Sequence, residues 1–268
     1  MIGQEALQKE LFSYTLSQTP KTIMFLGEYG CGKHTLVSEF SKHLGLPLVD
    51  ITDNISLELL ESIQMSSLLS MYLINLDNIT EQAQNIVLKF IEEPSDTAYV
   101  VLLSSNENRV LPTVLNRCYK LKFTKYSKDE LIKITGTDIS DDVLQICATP
   151  GQIRLLQNQY GALIGLCKTI VTKLSKASFS NALSIVDKIN YKDEYDKFDL
   201  DIFLKVLMQE LYKSYLGGNN QAIKLYNIVC SESQKLIDFR LNKEIFMQHL
   251  ITLLWKETRG ETAWLVKN

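Results

Sequence analysis

The sequence predicts an α/β nucleotide-binding domain on a parallel five-stranded sheet, followed by a region made only of helices. Three observations predict it. Five apolar, strand-like runs alternate with amphipathic helical stretches as far as Phe123. A glycine-rich loop joins the first of these runs to a strong helix. Beyond Phe123 the strand signals stop. Strands alternating with helices pair in parallel and are covered on both faces, and ligands bind at their carboxyl ends.

Gln4 to Leu16 reads as a first helix. Thr22-Ile23-Met24-Phe25-Leu26 is β-branched and aromatic, hence a buried strand. Lys33 to Leu44 is helical, with Leu36, Val37, Phe40 and Leu44 on one face. Pro47 to Asp50 reads as a short strand, Ser56 to Gln64 as a helix, and Met71 to Leu76 as a buried strand that runs into Asp77. Thr80 to Ile91 is amphipathic and stops before Pro94; Ala98 to Ser104 and Tyr119 to Phe123 complete the strands. Ser127-Lys128-Asp129-Glu130 is a capping box. Ser140 caps the next helix and Pro150-Gly151 opens another. Phe198 to Leu216, Gln221 to Val229 and Lys243 to Lys256 follow, the last apolar on more than one face. Soft linkers are expected near Gly136 and Tyr160-Gly161, and an exposed, charge-balanced loop at Tyr191 to Lys197.

The loop itself reads Gly27-Glu28-Tyr29-Gly30-Cys31-Gly32-Lys33-His34-Thr35. Gly27, four residues, Gly32 and Lys33 match the phosphate-binding P-loop. Its glycines let backbone N–H groups turn toward a phosphate, the helix N-terminus adds partial positive charge, and Lys33 would reach the terminal phosphates. The next position ordinarily carries a hydroxyl that holds Mg²⁺; here it is His34, and imidazole is a poor ligand for so hard an ion. Thr35 has a hydroxyl, but lies about 100° further round the helix. The loop is expected to grip a nucleotide and handle its metal poorly. Cys31 reads as a small loop residue, His43 and His249 as ordinary helix residues, and Glu92-Glu93 as a solvated helix end.

An apolar content of 46%, a charged content of 22% and a net charge of -3 describe an ordinary soluble chain without a basic nucleic-acid footprint. The five cysteines are scattered and form no C-x-x-C pair, so neither zinc nor a disulfide framework is indicated, and a reducing, cytoplasmic setting is expected. The N-terminus lacks a signal-peptide layout, and no apolar run is long enough for a membrane span.

Asp77 ends a strand downstream of the P-loop, where an aspartate would hold Mg²⁺ weakly through water. Asn78 follows it where many ATPases place a glutamate, and an amide cannot take up a proton. Then come Leu88-Lys89-Phe90-Ile91-Glu92-Glu93-Pro94, Leu102 to Asn106, Leu111-Pro112-Thr113, and Asn116-Arg117-Cys118. With Ile2-Gly3-Gln4 and the P-loop, this order resembles the clamp-loader branch of the AAA+ ATPases, nearest the delta-prime type of bacterial DNA polymerase III subunit. The likeness is strong over residues 2–123 and looser beyond.

The resemblance implies an AAA+ domain over residues 1–123, a small helical lid over 124–161 and a C-terminal helical collar over 162–268. It implies a hetero-oligomeric ring with other AAA+ loader subunits, acting on a sliding clamp and primer–template DNA. ATP would bind at Gly27, Gly30, Gly32, Lys33, His34, Thr35, Asp77 and Ser105, with Ser104 the alternative to Ser105 as sensor 1. Arg117, in the position of the family's S-R-C arginine, would act as a finger in trans on a neighbour's ATP. Thr80, Gln82 and Gln84 would lie near DNA phosphate or simply form a solvated helix start. Gly151, in Ala148-Thr149-Pro150-Gly151, stands where hydrolysing members have the arginine of a glycine-serine-x-arginine stretch, and Arg154 comes a turn later. The four-cysteine zinc module of many bacterial members is absent. The chain's own ATPase is expected to be weak or absent. A working gamma/tau-like ATPase subunit and a non-replicative AAA+ adaptor are the alternatives.

Overall fold

In a computed structural model, residues 2–136, 139–188, 200–238 and 242–260 are described. They divide into two compact units: residues 1–144 with 148–153, and residues 145–147 with 154–268.

The first unit carries the sheet. Its strands are β1 (Thr22–Leu26), β2 (Leu48–Asp50), β3 (Ser70–Asn75), β4 (Ala98–Ser104) and β5 (Tyr119–Lys122). They run in the order β2-β3-β4-β1-β5, and every pair is parallel. Alternate side chains leave opposite faces, so β1, β3 and β4 each supply two cores. Met24, Leu26, Tyr72, Ile74, Val100 and Leu102 pack with α3 (Leu57–Gln64), α4 (Glu81–Glu92) and α5 (Pro112–Leu115). Ile23, Phe25, Met71, Leu73, Tyr99, Val101, Leu103 and Leu121 face α1 (Glu5–Phe12) and α2 (Lys33–Leu44). Burial on both faces explains why β1, β3 and β4 read as unbroken apolar runs. The register sets Leu26 beside Ser104 and Asn75 beside Leu103, so the P-loop, Asp77 and Ser105 emerge from the same end of the sheet.

The helix starts are chemical. Ser56 and Thr80 cap α3 and α4, each accepting a backbone N–H. Ser127 and Glu130 form the predicted reciprocal box on α6 (Lys128–Thr135). α7 (Asp141–Ile146) and α8 (Pro150–Lys173) follow. α1 ends sooner than predicted. The Ser13 hydroxyl turns back to the Glu10 carbonyl at 2.6 Å, and Thr15 opens a separate 3-10 turn, Leu16–Gln18.

The second unit is helical: the body of α8, then α9 (Phe179–Lys188), α10 (Leu200–Leu216), α11 (Asn220–Asp238) and α12 (Lys243–Thr258). α10 packs on α11, and α12 on both α9 and α11. Phe246, Met247, Leu250, Ile251 and Leu254 bury α12, and the Trp255 indole donates to the Ala177 carbonyl at 3.0 Å.

The linker expected at Tyr160-Gly161 is not there: α8 runs unbroken from Pro150 to Lys173. The buried stripe Leu156, Leu163, Cys167 and Ile170 holds the helix, and one exposed glycine costs only about 1 kcal/mol. Gly136 is the left-handed cap that ends α6 (φ 68°); the residues just after it, and the loop expected at Tyr191 to Lys197, lie outside the described residues. α11 runs on to Asp238, well beyond the predicted Val229.

Candidate functional site

The P-loop begins where β1 ends. The Gly27 N–H donates to the Ser104 carbonyl at 3.1 Å and the Phe123 N–H to the Leu26 carbonyl at 2.8 Å, so the loop is hung between β4 and the end of β5. A side chain at Gly27 would stand 2.7 Å from Phe123 Cβ and 2.9 Å from Cys31 Sγ. Gly30 (φ 77°) and Gly32 (φ 98°) take left-handed conformations that other residues rarely adopt. Lys33 is buried, and its ammonium donates to the carbonyls of Gly27 and Glu28. His34 and Thr35, in the first turn of α2, are exposed. Cys31 is buried; burial pushes its thiol up, against the opposing pull of Lys33, which suits a packing residue and not a nucleophile.

Three side or main chains from later in the sequence grip the outside of this loop. The Thr149 hydroxyl donates to the Tyr29 carbonyl at 2.7 Å. The Gly151 N–H donates to the Gly30 carbonyl at 3.0 Å. The Tyr126 hydroxyl donates to the Cys31 carbonyl at 2.6 Å. The expected loss of an arginine at Gly151 thus has a steric counterpart: a Cβ there would lie 2.4 Å from Gly30 Cα. Sequence reasoning missed Tyr126 and Thr149. For Tyr126 there was no signal; for Thr149 the hydroxyl in the serine position of the matched stretch was one. Arg154 lies exposed on α8.

Asp77 sits in the 3-10 turn Leu76–Asn78. Its two carboxylate oxygens accept the Ser105 N–H at 2.9 Å each, and Oδ1 also accepts the Ser104 hydroxyl at 3.1 Å. The two serines therefore divide the role: Ser104 is buried and brings the hydroxyl to Asp77, whereas Ser105 contributes its backbone. The side chain of Asn78 lies outside the described set.

Arg117 follows α5. Its guanidinium is exposed, bonds Glu92 Oε1 at 2.8 Å and donates to the Thr113 carbonyl at 3.2 Å. Glu92, expected to be merely solvated, thus has a partner. Next to it, the Cys118 thiol donates to the Val114 carbonyl at 3.0 Å, and burial raises its pKa to about 12. Cys118 turns inward and Arg117 outward. α5 in turn is pinned by Gln84, which is fully buried, donates to the Arg109 carbonyl at 3.0 Å and accepts the Leu111 N–H at 2.9 Å. Gln84 cannot meet DNA phosphate; its amide serves the backbone before α5. Thr80 and Gln82 are exposed.

The donor set suits a polyphosphate: glycine backbone, a buried ammonium and a helix N-terminus. It does not suit Mg²⁺, which asks for oxygen ligands. His34 offers nitrogen, and the Asp77 oxygens already serve Ser104 and Ser105. Among the described residues no group of three or more His, Cys, Asp or Glu could hold a metal ion, and no helix is long and apolar enough to cross a membrane.

Comparisons with known proteins bear on this site. The family model described as DNA polymerase III, delta subunit, matches residues 50–127, the segment holding Asp77, Ser104, Ser105, Glu92 and Arg117. The DNA polymerase III subunit delta' of Bacillus subtilis (strain 168) is 22% identical over 216 residues, covering 66% of this chain and 63% of that protein. An uncharacterized MG007 homolog of Mycoplasma pneumoniae is 34% identical over 114 residues, covering 39% of this chain and 40% of the relative. The chain thus spans less than two thirds of the length of either curated relative it matches. Among solved structures, a DNA polymerase III gamma subunit-related protein from Thermotoga maritima is 15% identical, covers 96% of this chain and 100% of its own, and gives a TM-score of 0.47. The RuvB Holliday junction branch migration motor of the same organism is 18% identical over 78% of this chain and 70% of its own, with a TM-score of 0.44. The resemblance to clamp-loader, DNA polymerase III delta-type proteins is shown by the family match and the Bacillus relative.

Proposed function

From this delta-type clamp-loader likeness, we propose that the chain is a delta-prime-like subunit whose main chemical contribution is Arg117, offered to an ATP site on a neighbouring subunit. The observation that carries the reading is the side chain's setting. The segment is anchored inward through Cys118 and Gln84, while the guanidinium stays at the surface on Glu92 and the Thr113 carbonyl. An arginine placed beside transferring phosphate stabilises developing charge, worth roughly 10³–10⁵ in turnover. ATP bound to this chain would meet a site lacking the loop hydroxyl (His34), the glutamate (Asn78) and the arginine at Gly151. Its own hydrolysis is therefore weak or absent. The division into AAA+, lid and collar regions, the ring partners, the sliding clamp, primer–template DNA and a cytoplasmic setting belong to the same proposal.

The test is reconstitution of the full chain with the hydrolysing AAA+ subunits of its loader and the clamp. Arg117→Ala is expected to lower ATP turnover at the site it completes by on the order of 10³-fold, with assembly unchanged by size-exclusion chromatography. Unchanged turnover, or steady hydrolysis by the purified chain alone, would overturn the reading. The latter would favour a gamma/tau-like subunit.

A further inference from the structure

Peptide planarity couples the outside of the P-loop to its inside. In a trans peptide, a carbonyl and the N–H of the following residue point to opposite sides. The carbonyls of Tyr29, Gly30 and Cys31 are held by Thr149, Gly151 and Tyr126 at 2.7, 3.0 and 2.6 Å. The N–H groups of Gly30, Cys31 and Gly32 are therefore directed away from those three donors. Of these, the Cys31 N–H makes a long bond, 3.3 Å, to the Glu28 carbonyl. Successive N–H groups in such a turn form an anion-binding concavity. The buried Lys33 ammonium lies against the same loop, on Gly27 and Glu28. The curvature of this nest is thus set by donors the chain itself supplies.

The metal side of the site is committed differently. His34 replaces a hydroxyl with an exposed imidazole, and both Asp77 oxygens accept from Ser105, one also from Ser104. Three of the roughly four acceptor sites of the Asp77 carboxylate are thus in use, which leaves Oδ2 little more than one for a metal or its water. Phosphate bound through N–H groups and Lys33 would displace the Lys33 contacts and one long amide bond.

We infer that this P-loop binds a nucleoside polyphosphate directly, without a divalent cation, and that Tyr126, Thr149 and Gly151 set the affinity by holding the loop from outside. The inference rests on the nucleotide part of the proposed function and is independent of what Arg117 does. It is tested on the isolated full chain, whereas Arg117 is tested in the assembly, so either can fail alone.

The probes are fluorescent ATP and ADP analogues, followed by anisotropy in excess Mg²⁺ and in EDTA, with competition by unlabelled ATP, ADP and tripolyphosphate. The dissociation constants in Mg²⁺ and EDTA are expected to agree within about threefold, because no metal ligand set is available. Thr149→Val and Tyr126→Phe each remove one donor to the loop, and each should weaken binding about three- to tenfold. Circular dichroism melts establish that these variants are folded. Tightening of more than about tenfold by Mg²⁺, absence of saturable binding in both buffers, or wild-type binding by folded variants would overturn the inference. Equal competition by tripolyphosphate and ATP would overturn its nucleoside part. Should a variant fail to fold, the Mg²⁺–EDTA comparison on the unaltered chain still decides the metal question.

Discussion

At the scale of single residues, Gly151 carries more information than its chemistry suggests. In a helix interior, glycine to alanine ordinarily gains about 0.5–1 kcal/mol, and Gly151 lies in the first turn of α8. Here the new Cβ would sit 2.4 Å from Gly30 Cα and 3.1 Å from the Gly30 carbonyl oxygen. These are backbone atoms and cannot swing aside. Overpacking against backbone costs about 1–3 kcal/mol, which outweighs the helix gain. Gly151→Ala is therefore expected to destabilise the protein by about 1–2 kcal/mol in urea denaturation; a stabilised variant would mean that the two glycines are not in contact. Position 151 is thus one where this fold admits no side chain in its present geometry. Asp77 makes a parallel point. It follows β3 at the end of the sheet that carries the glycine-rich loop, and its oxygens serve Ser104 and Ser105.

At the scale of elements, α8 separates two uses of glycine within one helix. Gly151 is closed in by the P-loop, whereas Gly161 and Gly165 are exposed and a Cβ at either would meet nothing within 4 Å. Both lie in the helix interior, where glycine is about 0.8–1.0 kcal/mol worse than alanine. Gly161→Ala and Gly165→Ala should each raise stability by roughly 0.5–1 kcal/mol, read as a higher urea midpoint at unchanged slope. A loss at Gly161 would restore the hinge that its sequence suggested. α4 likewise serves its neighbour more than itself. Gln84 from its first half and Glu92 at its end hold the backbone before α5 and the guanidinium after it. An exposed pair such as Glu92–Arg117 contributes about 0–1 kcal/mol, so its value lies in orientation, not in stability.

At the scale of the whole molecule, the cysteines report on both units at once. Cys31, Cys147 and Cys167 are buried, Cys118 is half-buried and only Cys230 is exposed. Burial pushes the thiols of Cys118 and Cys167 up to about 12. The sign is plain: with a raised pKa the thiol stays protonated, and at pH 8 the reactive thiolate of such a group is a fraction of roughly 10⁻⁴. Of the five cysteines, one is expected to react promptly with Ellman's reagent at pH 8, and the other four only on unfolding. Two or more prompt thiols would show that one of the units is packed more loosely than described.

Much of this architecture was legible along the chain because its causes are local. The apolar runs of β1, β3 and β4, the Ser127–Glu130 box and the spacing of Gly27, Gly32 and Lys33 each act within a few residues, and a linear sequence displays such rules directly. The parallel sheet and its order of helices followed from them. What stayed hidden has its cause far away in sequence. Tyr126 reaches Cys31 across 95 residues, and Thr149 reaches Tyr29 across 120. The burial of Gln84, the division of labour between Ser104 and Ser105, and the continuity of α8 through Gly161 likewise depend on what packs alongside. By itself the sequence determined the alternation of strands and helices and the glycine-rich loop between β1 and α2. The tertiary structure alone decided what grips that loop and which way Arg117 faces, because hydrogen bonds between distant segments exist only once packing has brought their donors and acceptors together.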